Sequence, residues 1–138
     1  MSLKRFNTEL EWRDDMKQKN YEVGKLGEKI AENYLTKNGY QLIAKNFHTR
    51  FGEIDLIVTK NNKLIFVEVK LKIGEDFGTP EEMINKHKLR QIEMTGQSFL
   101  MKYPEYEDIY ESLQIDAVCI VMDENHEIIR INQYENIS

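Results

Sequence analysis

The stretch GEIDLIVTKNNKLIFVEVKLK, residues 52–72, decides the fold. Two runs rich in Ile, Leu, Val and Phe flank Asn61-Asn62, and Asn tolerates the positive φ that a two-residue hairpin turn requires. Side chains alternate faces along a strand, so Glu53, Asp55 and Ile57 are expected on one face and Ile54, Leu56 and Val58 on the other. By the same parity Leu64, Phe66, Glu68, Lys70 and Lys72 share a face. A turn at Asn61-Asn62 then pairs Ile57 with Phe66, Asp55 with Glu68 and Glu53 with Lys70. One end of that face is apolar; the other gathers three carboxylates and an ammonium. Opposed carboxylates with Cβ atoms about 5 Å apart repel and need compensation. A divalent cation held by oxygen ligands supplies it, and Mg²⁺ prefers one or two carboxylates plus waters and substrate phosphate. Two plainer readings stand beside this one. Lys70 neutralises the pair alone, or these positions are the solvated face of a sheet whose other face is core.

Before the hairpin, Leu26, Ile30, Ala31, Tyr34 and Leu35 recur at helical spacing across Val23 to Asn38, and Asn38-Gly39 supplies the stop. Glu28 falls just outside that apolar arc, at the edge of a possible cleft. Met1 to Asn20 is charged and weakly periodic and reads as a loosely attached helix. The expected organisation is therefore a charged, helical extension at 1–22 and one α/β domain at 23–138. Tyr40 to Phe47 reads as a strand. After the hairpin, Thr79-Pro80-Glu81-Glu82 has the form of a capping box, predicting a helix from there to about Lys102 with Leu89, Ile92, Gly96, Phe99 and Leu100 as its buried stripe. Lys88 sits at the edge of this stripe, either snorkelling to solvent or reaching a phosphate, whereas Lys86 and Arg90 project outward. Gln114 to Met122 and Glu127 to Asn132 complete the order αβββαββ, a sheet with helices packed on it.

The chain has 138 residues, 41% hydrophobic and 31% charged, which fits one core beneath a well-solvated surface. Its longest apolar run, Ala117 to Met122, is far too short to cross a bilayer. No secretory signal is evident at the start, and the single Cys119 can form no internal disulfide, so a cytoplasmic location and a buried free thiol are expected. The formal net charge of -5 argues against phosphate binding only when averaged. Residues 36–72 carry seven basic against three acidic side chains, and residues 103–138 one against nine. His48, His87 and His126 have no partners at metal-ligand spacing, so no zinc site is expected, and there is no Gly-rich phosphate loop. Trp12, Tyr103, Tyr106 and Tyr110 read as packing residues, with base stacking as the alternative.

The Gly52-Glu53-Ile54-Asp55 and Val67-Glu68-Val69-Lys70 segments resemble the PD-(D/E)xK nuclease superfamily, with its restriction-endonuclease-like core of a mixed central sheet flanked by helices. In that superfamily an Asp, and an (Asp/Glu)-x-Lys on the next strand, build a Mg²⁺ site. The chain is most similar to the YraN-like family, related to archaeal Holliday-junction resolvases. Gly27-Glu28, Ala31, Asn46, Phe77-Gly78, Lys88 and Asp116 also match. The resemblance implies a Mg²⁺-dependent phosphodiesterase, with Mn²⁺ as a substitute, acting on nucleic acid, most readily structured DNA. It implies that Asp55, Glu68 and Glu28 are metal ligands, that Lys70 orients or helps deprotonate the attacking water, and that Glu53 orients Lys70 or supports the ligands. Lys88 and Lys72 would contact substrate phosphate, and a resolvase-like chain would form a homodimer. Departures exist: Lys72 stands where the family has Arg, Gln114-Ile115-Asp116 replaces Arg-Phe-Asp, and Thr95 and Gly96 replace small alanines. The alternative is a catalytically silent member that acts as a partner in nucleic-acid processing through its acidic C-terminal surface.

Overall fold

A computed structural model describes Arg5 and residues 7–138. One helix, α1 (Glu9–Lys37), takes in both helical stretches anticipated from the sequence. Thr8 caps it, its Oγ1 accepting from Glu11 N at 3.1 Å. The polar first half is held by i,i+4 pairs such as Arg13–Glu9 and Lys19–Asp15, so it continues without a break into the packed half. Residues 1–4 and 6 of the anticipated extension lie outside the described residues.

Five strands follow: β1 (Gln41–Thr49), β2 (Gly52–Lys60), β3 (Lys63–Ile73), β4 (Ser112–Met122) and β5 (Ile128–Tyr134). They lie side by side in sequence order, and only the β3–β4 pair is parallel. That pair needs a crossover, supplied by α2 (Lys86–Lys102) and the short α3 (Glu105–Ile109). The architecture is thus a mixed α/β sheet flanked by helices in the expected order, consistent with a restriction-endonuclease-like core. The hairpin turn is as read: Asn61 and Asn62 both have positive φ, +52° and +61°, and Lys60 opposes Lys63.

The second helix differs from its expectation. Thr79 and Glu82 do exchange capping hydrogen bonds, Glu82 N donating to Thr79 Oγ1 and Thr79 N to Glu82 Oε2. They support only a 3-10 turn, Glu81–Met83, because Ile84 is out of helical geometry and Asn85 then caps α2, accepting from Lys88 N at 2.9 Å.

Each sheet face has its own core. Against α1 lie Ala31, Leu35, Leu56, Val58, Ile65, Val67 and Ile120. Against α2 lie Ile54, Ile57, Leu64, Phe66, Ile92, Phe99 and Ile115. Gly96 lets α2 seat on the sheet, since a Cβ there would come within 2.6 Å of the Phe66 ring. Tyr103 and Tyr106 pack on Phe99, and Tyr110 stacks on Tyr106, which settles these aromatics as packing. Trp12 is half exposed on α1. Cys119 is buried and unpaired, and burial pushes its thiol up to about 12.

Candidate metal centre

The carboxylates meet where the β2–β3 ladder comes apart. Regular pairing holds from Lys60–Lys63 to Leu56–Val67, including Ile57 with Phe66, and then stops. Beyond it Asp55 Oδ2 accepts a hydrogen bond from Val69 N at 2.7 Å, a side chain doing what the neighbouring strand would otherwise do. The anticipated Asp55–Glu68 and Glu53–Lys70 pairs are therefore not ladder partners. Strict alternation also fails here, because Ile54 and Ile57 both pack in the α2-side core. On the neighbouring strand Asn46, at the register position opposite Asp55, has φ +55°, and its buried Oδ1 has no hydrogen-bond partner among the described residues. The irregularity in β1 and β2 re-aims the acidic side chains, so the single acidic face drawn from parity is replaced by a cluster that spans the opening between strands.

On the α1 side of that opening, Glu28, Glu53 and Asp55 each bring a carboxylate oxygen within 4.8 Å of the others. Glu28 follows Gly27, which is buried where a Cβ would come within 3.0 Å of Leu71 Cβ, so the close helix–strand contact sets the height of Glu28 over β3. Lys25 Nζ lies 3.3 Å from Glu28 Oε2. Oxygens around an ion bound at about 2.1 Å are about 3–4 Å apart, so this trio needs little rearrangement to hold a hard cation.

Glu68 is 1% exposed, and neither of its oxygens has a hydrogen-bond partner in the structure. Lys70 and Lys88 bring their ammoniums to 3.3 and 3.6 Å from Oε1, close enough for ion pairing but outside hydrogen-bond geometry. Burial raises the Glu68 carboxyl above its ordinary range, and Lys88 and Lys70 oppose that rise. Burial, followed by the charge of Glu68, pushes Asp55 up to about 8 against the Val69 hydrogen bond. Two buried carboxyls raised above their ordinary range, one of them with unused lone pairs, mark a site that a divalent cation would relieve.

Glu68 thus lies on the lysines rather than within the tight trio, while Glu53, expected to orient Lys70 or support the ligands, is one of the trio's three carboxylates. Lys72 lines a cleft of about 570 Å³ together with Lys70. Lys86 and Arg90 are exposed, as anticipated. Asp116 is fully buried but accepts from Gln114 Nε2, Gln133 Nε2 and Asn136 N, so it ties the C-terminal segment to β4 and does not join the cluster.

The Uncharacterised protein family UPF0102 matches residues 27–120, a span that includes Glu28, Glu53, Asp55, Glu68, Lys70 and Lys88. The chain belongs to that family. It is 35% identical over 105 residues to a UPF0102 protein of Syntrophomonas wolfei, covering 76% of this chain and 89% of the relative. A UPF0102 protein of Acinetobacter baylyi is 39% identical over 115 residues, covering 83% and 79%, and one of Caldanaerobacter subterraneus is 38% identical over 95 residues, covering 67% and 78%. The likeness to the YraN-like family drawn from the hairpin motifs is borne out. No helix among the described residues of this UPF0102 protein is long and apolar enough to cross a membrane.

Proposed function

We propose that this UPF0102 protein is a divalent-metal-dependent phosphodiesterase that cleaves nucleic acid. The observation that carries the reading is the meeting of Glu28, Glu53 and Asp55 oxygens beside Glu68, a buried carboxylate with no hydrogen-bond partner. An all-oxygen donor set of this kind suits Mg²⁺ or Mn²⁺ and disfavours softer metals. Asp55, Glu28 and Glu53 would hold the ion, with Glu68 completing the set from the β3 side. When bound, such an ion polarises a phosphoryl oxygen and lowers the pKa of bound water.

The chain's own groups do the remaining work. The Lys70 ammonium, held at the mouth by Glu68 Oε1, donates to the incoming water or to a non-bridging phosphate oxygen and balances charge that builds up in the transition state. Lys88 approaches the same oxygen from α2 and is placed to contact the phosphate on the opposite flank. Val69 N fixes the Asp55 carboxylate, so the ligand is oriented before anything binds.

One observation favours the silent alternative: the two ammoniums already offset Glu68 without a metal. Incubation of labelled linear and branched DNA with Mg²⁺ or Mn²⁺, beside Asp55→Ala and Lys70→Ala, separates the two readings. Cleavage by the parent chain and at least about a hundredfold loss in each variant is expected. Cleavage unchanged in both would remove the assignment, and no cleavage of any substrate by the parent would favour the silent reading.

A further inference from the structure

The cleft that shares Lys70 with the carboxylate site carries three features that bear on what approaches that site. It runs between α1 and the far end of β3, lined by Val23, Gly24, Lys70, Lys72, Ile73 and Met83. The first feature is Gly24. It sits inside a 29-residue helix, where glycine is among the poorest helix formers, yet a Cβ built there meets nothing within 4 Å among the described residues. Gly27 and Gly96 are required by close neighbours within the protein; Gly24 is not. A bare stretch of backbone facing an open cleft is what a closely approaching ligand needs. Gly24 lies one helical turn before Glu28, so the bare stretch leads directly to the acidic trio.

The second feature is chemical. Lys70 and Lys72 bring basic residues to its lining, while Ile73 and Met83 add partly exposed apolar side chains. Cations beside apolar surface match a single nucleic-acid strand, which presents phosphates and unstacked bases together; a duplex presents its phosphates and hides its base faces.

The third is Phe77, 96% exposed on the loop that joins Ile73 to Met83, both of which line the cleft. Both feet of this loop are clamped. Arg130 of β5 forms a two-point ion pair with Glu81 at 2.7 and 2.9 Å and donates to Glu75 from Nε at 3.1 Å, and Gly74 N donates to Met122 O. Gly78, with φ +106°, closes the tip through its N–H to Glu75 O. An aromatic ring on a braced loop loses little freedom when it stacks. Asp76 precedes it and the Glu82 carboxylate lies against Gly78, so the charge around this tip favours a base over a phosphate.

We propose that this cleft is the track for an unpaired nucleic-acid strand leading to the carboxylates, with strand backbone passing over Gly24 and one base stacked on Phe77. The proposal rests on the hydrolase reading and narrows its substrate to DNA or RNA with a single-stranded segment, such as a flap, gap or frayed end.

The test is fluorescence anisotropy in Ca²⁺ with a labelled oligothymidylate of about fifteen nucleotides and a duplex of the same length. The single strand should bind at least about tenfold more tightly than the duplex. Gly24→Leu, whose Cβ enters open space beside the cleft, and Phe77→Ala should each weaken single-strand binding about tenfold, and Phe77→Trp should restore it. Circular dichroism of Gly24→Leu serves as the folding control and should match the parent. Equal or tighter duplex binding, or parent-like single-strand binding by both Gly24→Leu and Phe77→Ala, would overturn the track. The two readings fail separately. Single-strand binding that depends on Gly24 and Phe77 without any Mg²⁺-dependent cleavage would sink the hydrolase and keep the track. Cleavage indifferent to both substitutions would do the reverse.

Discussion

Replacing Asp55 by Asn should make the metal-free protein more stable while abolishing its metal response. Asp55 holds its proton to about pH 8 in the folded chain against an ordinary value of 3.8. The folded state therefore keeps a proton that the unfolded chain releases. Its stability is highest below about pH 4 and falls as pH rises through about 8. At roughly 1.4 kcal/mol per pH unit, the gap sets a ceiling near 5 kcal/mol for the penalty at pH 8. Asn keeps an oxygen for the Val69 N–H and offers its NH₂ to the neighbouring carboxylates, so a net gain of about 2 kcal/mol is expected at pH 8 and almost none at pH 4. For a chain of this size that is about 6–10 °C in melting temperature. Thermal melts in a chelator across pH 4–9, repeated with Mg²⁺, provide the assay. Mg²⁺ should raise the parent melting temperature, more so with increasing pH, and leave Asp55→Asn unmoved. A variant less stable than the parent at pH 8, or a gain independent of pH, would refute the picture of a strained carboxylate cluster.

Further predictions concern packing and the braced loop. Gly24→Ala should stabilise the protein by about 0.5–1 kcal/mol, because the new methyl enters open space on a helix, as read by urea denaturation. Gly96→Ala should cost about 1–3 kcal/mol in the same assay, since its methyl would collide with Phe66. Arg130→Ala should speed amide exchange across residues 74–81 and leave the α1-side core protected. Hydrogen bonding from Arg130 holds the Glu81 carboxyl down at about 2, so the stabilisation from this clamp is present above about pH 4.5 and is lost as pH falls towards 2; Arg130→Ala should flatten that part of the acid-stability profile.

The parts of the structure readable in the sequence are those set by local rules. Asn61-Asn62 fixed the hairpin, the 3.6 period fixed the buried faces of both helices and put Glu28 at the edge of the first, and the residue types in the hairpin pointed to Glu53, Asp55, Glu68 and Lys70. What was not readable depends on departures from regularity. Alternation assigned Glu53 and Asp55 to the face of Ile57, but tertiary packing draws Ile54 to that same side and breaks the ladder beyond Leu56. Asn46 is the residue that could have signalled it: Asn adopts positive φ easily, and it stands opposite Asp55. The early start foreseen for the second helix came from a genuine capping box at Thr79, and it lost to the second cap at Asn85 six residues later. The brace from Arg130 to Glu75 and Glu81 joins residues about fifty positions apart, beyond any local pattern.

The most direct measurement of the central claim is a Mn²⁺ titration followed by electron paramagnetic resonance, on the parent and on Asp55→Ala, Glu28→Gln and Glu53→Gln at one pH near 8. The account predicts saturable binding by the parent, abolished by Asp55→Ala and weakened about tenfold or more by each Glu→Gln change. Binding of equal strength in all four proteins, or none in the parent, would contradict it.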